Sequence, residues 1–250
     1  MFILKSGNYK LYVTPVVAVI EIVIISFLEH AIPSVAGDGL DFIDSLTVSF
    51  LVLTGSLGSL FLHEYAHSIT ARLMHLSVNG ISVSLFGAYM SIGSEPSTPK
   101  ASFIISAAGP LANIFAGIIF YAGCLAFGET GIASAVCFCL SVFNGIFSAY
   151  NLLPVMPLDG GIIVRSAFWG SSSNFYWASQ VSFNIGTVFT LICFITGLIN
   201  IFACHPVIGL IFFFLGVSLR QTEKSAYRQM MAARFLGSLS TGNRWQADCH

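Results

Sequence analysis

Long apolar stretches without a single Asp, Glu, Lys or Arg dominate the chain. Ser45–Leu62, Ala101–Gly128, Thr130–Leu158 and Ser166–Leu219 are four such runs. A helix that crosses a bilayer rises about 1.5 Å per residue and needs about 20 apolar residues. The fourth run is long enough for two crossings, and Gly197–Pro206, with Asn200, His205 and Pro206, offers a turn between them. Leu11–Leu28, apolar apart from Glu21, is one more candidate span. The pattern predicts an all-α polytopic membrane protein with about six transmembrane helices.

Between the second and third spans the period changes. In Val78–Ile92, Ile81, Val83 and Leu85 alternate with Ser82 and Ser84, while Asn79, Gly80 and Gly87 are turn or bulge residues. This predicts a small membrane-associated β-hairpin near the cytoplasmic face, followed by a polar loop, Ser94–Lys100. The region after Arg220 is rich in helix formers, as in EKSAYRQMMAARFL, and suits an amphipathic helix on the membrane surface or a partner contact. The expected organisation is a membrane domain over 1–219, with its core at 45–165, and a cytoplasmic tail over 220–250, helical at first and disordered from Ser238.

Charge sets the orientation. Lys5 and Lys10 precede the first candidate span, Arg72 and Lys100 flank the hairpin, Arg165 follows the fourth span, and five basic residues from Arg220 to Arg244 follow the sixth. The intervening loops carry Glu29, Asp38, Asp41, Asp44 and Glu129 instead. The positive-inside bias therefore predicts both termini in the cytoplasm, and the expected location is a bacterial inner membrane. Ser34-Val35-Ala36 has the small residues of a signal cleavage site, but the preceding apolar stretch is long and interrupted by Glu21, which argues against one. Only 8% of the residues are charged, against about 25% in ordinary soluble domains, so lipid is the expected solvent. A net charge of −1 excludes a nucleic-acid partner of the basic-surface kind. None of the six cysteines forms a CxxC pair, and they read as small buried hydrophobes.

The densest local chemistry is His63-Glu64-Tyr65-Ala66-His67, an HExxH. On a helix, residues four apart share a face, so both imidazoles can bind one metal ion while Glu64 takes a proton from water. Three ionisable groups at the end of an apolar run are costly unless they are used or hydrated. Catalytic zinc usually takes three protein ligands. A third histidine at the metzincin spacing is missing, since that position holds Leu73, and His75 comes two residues later. Glu95 is one candidate ligand, although its Pro- and Ser-rich loop already accounts for a solvated charge. Asp159 is the better one. It follows a charge-free run, stands beyond the helix-breaking Pro154 and Pro157, and precedes Gly160-Gly161. Its alternative role is to cap the helix that starts near Gly160.

Three blocks carry a resemblance to a known family. HEYAH at 63–67 matches an HExxH, Gly109-Pro110-Leu111-Ala112-Asn113 matches a GPxxN, and Asn151–Gly161 matches an NxxPxxxLDG-like block. In that order the chain resembles the site-2 proteases, intramembrane zinc metalloproteases of the M50 type, over about Ser45–Arg165. The resemblance implies one catalytic Zn2+ held by His63, His67 and Asp159, with Glu64 activating water. Asn151 would hold the substrate carbonyl or oxyanion. Asn113 would support the site or join two helices. Gly109 and Pro110 would serve packing and the helix kink. The hairpin, including Gly87, would offer a sheet edge to an unwound substrate. The family's glycine-rich turn reads Phe86-Gly87-Ala88 here, with one glycine replaced. No PDZ domain is inserted between the motifs, and the tail has no room for paired CBS domains, so a minimal form is expected.

The implied activity is hydrolysis of peptide bonds within or near transmembrane segments, in regulated intramembrane proteolysis. The expected partners are the lipid bilayer and a transmembrane protein substrate, such as a single-span protein already cut once. A metal transporter would string polar groups along several helices or show paired repeats. Here the ionisable residues gather at one level of the chain's spans.

Overall fold

The computed structural model describes residues 2–6, 9–13, 42–84, 87–92, 96–128, 131–203 and 205–240. The chain forms two compact units, Met1–Leu152 and Leu153–His250.

In the first unit, strands β1 (Phe2–Ser6) and β2 (Tyr9–Val13) pair antiparallel, with Lys5 opposite Lys10. Leu11, Tyr12 and Val13, expected to open a membrane span, therefore stand in a strand. The segment YKLYV holds Tyr9, Tyr12 and Val13, aromatic and β-branched types that suit a pleated strand. The rest of that expected span, with Glu21, and the Ser34-Val35-Ala36 segment lie outside the described residues.

Helix α1 (Phe42–Leu73) carries Asp44 in its first turn and Arg72 in its last, both matched to the helix dipole. It ends in a Schellman turn. The Leu76 N–H donates to the Ala71 carbonyl at 2.9 Å and the His75 N–H to Arg72 at 2.9 Å, with His75 left-handed at φ 62°. His75 thus terminates the helix.

Strands β3 (Val78–Ser84) and β4 (Gly87–Ile92) pair antiparallel, with Ser84 opposite Gly87 and a register shift between Val78 and Gly80. Leu85, Phe86 and Glu95 lie outside the described residues.

Helix α2 (Pro99–Phe127) starts on Thr98, whose hydroxyl accepts from the Ala101 N–H at 3.2 Å, with Pro99 at the first position, where no donor is needed. Helix α3 is Ile132–Asn151. Val48 and Val52 of α1 pack on Ala135, Cys139 and Leu140 of α3 in a buried cluster. A methyl on Gly55 would meet the Leu140 side chain at 2.7 Å, so this glycine lets α1 and α3 approach closely.

In the second unit, α4 (Asp159–Ser172) leads through left-handed Ser173 to α5 (Phe175–Phe202), which is capped by the Asn174 side chain. Helix α6 (Pro206–Ser240) follows a break after Phe202, within the turn predicted at Gly197–Pro206. Methyls on Gly197 or Gly209 would strike backbone of the facing helix, so α5 and α6 pack at close range. Helix α6 continues without interruption through Arg220, so the step from 219 to 220 is not a helix end.

Among the described residues five helices are long and apolar enough to cross a membrane: α1, α2, α3, α5 and α6. Helix α4, with 14 residues, is too short. Phe50, Phe115 and Ile199 are exposed at 63%, 66% and 60%, and many similar side chains surround them. Apolar surface on this scale matches lipid rather than water, as in an integral membrane protein. Cys124, Cys137, Cys139 and Cys193 are free thiols.

Candidate metal centre

His63, Glu64 and His67 lie in the C-terminal half of α1, one helical turn spanning the two histidines. All three are buried. Within a membrane-length helix such groups are stable only with polar partners.

The partners of the imidazoles come from α2. His67 Nδ1 lies 2.6 Å from the Ile105 carbonyl. A carbonyl only accepts, so Nδ1 carries the hydrogen and Nε2 presents a lone pair. His63 Nδ1 lies 2.7 Å from Asn113 Oδ1 and donates to it, which leaves His63 Nε2 in the same state. The two Nε2 atoms are 3.1 Å apart. Between neutral rings of this tautomer that contact holds no hydrogen, and two lone pairs face one another. A shared cation removes the repulsion. Two nitrogens on one tetrahedral zinc, each at about 2.0–2.1 Å, would stand roughly 3.3 Å apart.

Space for an ion comes from Gly109. A methyl group on its α-carbon would lie 2.6 Å from His63 Nε2 and closer still to His67 Nε2. It would fill the point on which both lone pairs converge. The glycine of the GPxxN block was expected, with Pro110, to serve packing and the helix kink. The structure instead puts it at the mouth of the imidazole pair, because α2 crosses α1 with this face inward.

Pro110 lacks an N–H and so cannot donate to Ser106 within the helix, and its own carbonyl accepts from Ser148 Oγ of α3 at 3.1 Å. The Phe147 ring stands edge-on to His63, with centroids 5.1 Å apart. Asn113 is fully buried and also donates through Nδ2 to Asn144 Oδ1 at 2.8 Å.

Asn151 is the last residue of α3. It is half-buried, and its Nδ2 donates to the Phe147 carbonyl at 3.0 Å. Gly87 opens β4.

Asp159 belongs to the second unit and is the first residue of α4, with Leu158 rather than Asp159 at the N-cap. The preceding loop folds back on α4: a methyl on Gly161 would lie 2.5 Å from the Met156 nitrogen and 2.6 Å from the Val155 carbonyl carbon. Only glycine permits that approach. Ser182 Oγ of α5 donates to the Gly161 carbonyl at 2.8 Å and holds this turn down.

Sequence reasoning overlooked Asn144 and the Ile105 carbonyl. Asn144 could have been noticed as an amide inside a charge-free run, but nothing local pairs it with Asn113. A backbone carbonyl carries no sequence signal.

Fold and site together define a polytopic membrane protein with an HExxH helix at its polar heart. The sequence model of peptidase family M50 matches residues 49–138. Rip3 of Mycobacterium tuberculosis, assigned as a zinc metalloprotease, is 34% identical over 64% of this chain and 42% of its own length. A zinc metalloprotease of Methanocaldococcus jannaschii is 27% identical over 57% of this chain and 41% of its own. The chain thus spans well under half the length of these curated relatives. The solved structure of a site-2 protease from Methanocaldococcus jannaschii shares the fold, with a TM-score of 0.58 and 20% identity over 88% of this chain and 94% of that one. Residues 49–138 thus carry the sequence pattern of peptidase family M50, and the fold is that of a site-2 protease.

Proposed function

We propose that this protein is an intramembrane zinc endopeptidase that hydrolyses peptide bonds within or near transmembrane segments. The observation that carries the reading is the imidazole pair, with two Nε2 lone pairs 3.1 Å apart and Gly109 keeping their meeting point clear. In this proposal His63 and His67 supply two ligands of one zinc ion, and Asp159 supplies the third from the first turn of α4. The chemistry of the donor set fits, since two neutral imidazoles and one carboxylate leave a position open for water or substrate.

A zinc ion held by these residues would supply Lewis acidity, lowering the pKa of a bound water to about 7 and polarising a carbonyl. The chain's own residues do the rest. Glu64, next to His63 and buried, takes the proton of the attacking water and returns it to the leaving amine. Asn151 has one amide hydrogen on the Phe147 carbonyl, and the second serves the carbonyl oxygen under attack. Asn113 and the Ile105 carbonyl hold the imidazoles in place.

A transmembrane helix satisfies its backbone internally and must unwind before it can be cut. The β3–β4 hairpin, with Gly87 at its turn, offers a sheet edge for the freed groups. The proposed substrate is a single-span protein already trimmed by another protease, as in regulated intramembrane proteolysis, with signal-peptide remnants as the alternative class. The location is a bacterial inner membrane, with the site toward the cytoplasmic face.

The test is reconstitution with a single-span substrate in liposomes. Cleavage that stops with a zinc chelator, returns with added zinc and is lost in Glu64→Gln supports the proposal. Parental cleavage by Glu64→Gln overturns it.

A further inference from the structure

We infer that Asn144 is a positioning residue that selects the metal-binding tautomer of His63 through a relay of directed hydrogen bonds across three helices. The inference rests on the zinc-site reading above for its purpose, but not for its geometry.

Asn113 alone cannot set His63. A carboxamide presents either its oxygen or its NH2 group after a half-turn that leaves its shape unchanged. With oxygen forward, His63 Nδ1 carries the hydrogen and Nε2 presents a lone pair suited to a metal. With NH2 forward, Nδ1 becomes the acceptor, the hydrogen moves to Nε2, and the ligand position is blocked. Something must break this symmetry in the buried interior.

Asn144 does so. Its Nδ2 lies 2.8 Å from the Leu140 carbonyl, one turn back on α3, and 2.9 Å from Ser59 Oγ on α1. A carbonyl can only accept. The Ser59 hydroxyl gives its own hydrogen to the Gly55 carbonyl at 3.1 Å, so toward Asn144 it too accepts. Both contacts demand hydrogens from Asn144, so its Oδ1 must point the other way, at Asn113, 2.8 Å off. Asn113 must then answer with Nδ2 and turn its oxygen to His63. Every link runs one way, and the chain ends on backbone carbonyls whose polarity cannot change. Asn113 and Asn144 are completely buried, so no exposed surface supplies water to replace a lost link.

The test uses the full chain in detergent, labelled with 15N-histidine and freed of metal, with the His63 signal identified through His63→Gln. The parent is expected to show His63 with its hydrogen on Nδ1. Asn144→Leu removes the acceptor for Asn113 and is expected to give a mixture of tautomers, with zinc affinity lowered about 10- to 100-fold. Asn144→Ala reads the same quantity should the leucine variant not fold. Asn144→Asp keeps an oxygen toward Asn113 and, protonated by its burial, gives its one hydrogen to the Leu140 carbonyl, so it is expected to restore the parental tautomer and most of the zinc affinity. Loss of packing alone would not be rescued in this way. An unchanged His63 tautomer in both Asn144→Leu and Asn144→Ala overturns the inference, as does an aspartate variant that behaves like the leucine one. A parent chain that binds no zinc, yet whose tautomer responds to Asn144→Leu, counts against the proposed function and leaves the relay standing.

Discussion

Gly109 of α2 faces His63 of α1 so closely that a single added methyl group would stand 2.6 Å from the imidazole Nε2. Carbon and nitrogen not bonded to each other do not approach to that distance. The α2 backbone is helical at this point, so alanine would suit it conformationally. The constraint is therefore one of space in front of the imidazoles.

Gly109→Ala is accordingly expected to separate metal binding from folding. Helical content should match the parent, while zinc measured by atomic absorption should fall from one ion per chain toward none. A variant that keeps a full complement of zinc would show that the ion lies elsewhere.

Glu64→Gln keeps the size of the side chain and removes its basicity. Zinc content should be unchanged, and the cleavage rate of a single-span substrate should fall by about 100- to 10,000-fold, the usual worth of a general base. Paired measurements of metal content and initial rate on one preparation decide this.

Asp159→Ala removes the proposed third ligand while leaving the Leu158 cap of α4 alone. Zinc should bind more weakly, seen as loss of the ion to a chelator at concentrations that leave the parent loaded. Titration with a competing chromogenic chelator gives the ratio of affinities.

Gly161→Ala acts one step further back. Its methyl would strike the Met156 nitrogen and the Val155 carbonyl, which are backbone and cannot swing aside. The loop ahead of Asp159 must shift, at a cost of about 1–3 kcal/mol. A lower thermal midpoint, together with weaker zinc retention, is expected. Ser182→Ala, which frees the Gly161 carbonyl held at 2.8 Å, should move both quantities the same way by less.

Much of the helical layout is written in the order of residues. The four charge-free runs mark α1, α2, α3 and, for the fourth and longest, α5 with the first part of α6, and the break near Pro206 falls where Asn200, His205 and Pro206 cluster. Hydropathy works here because lipid admits backbone only in satisfied form, so a long apolar run has few structural options. At Leu11–Val13 the chain runs as a strand, and the rest of the expected span Leu11–Leu28 lies outside the described residues. The site was legible only in part. His63 and His67 announce themselves by spacing, whereas Asn144, which lies 85 residues from its partner Ser59 and 31 from Asn113, does not.

By itself the sequence determined that apolar helices would carry an HExxH on one helical face, because a period of 3.6 residues needs no knowledge of neighbours. Tertiary structure alone decided which ring nitrogens hold hydrogens, what leaves room between them, and which amide faces which carbonyl. Those outcomes depend on directions and gaps of a few ångströms between distant segments, and hydrogen bonds and steric contacts act only at that range.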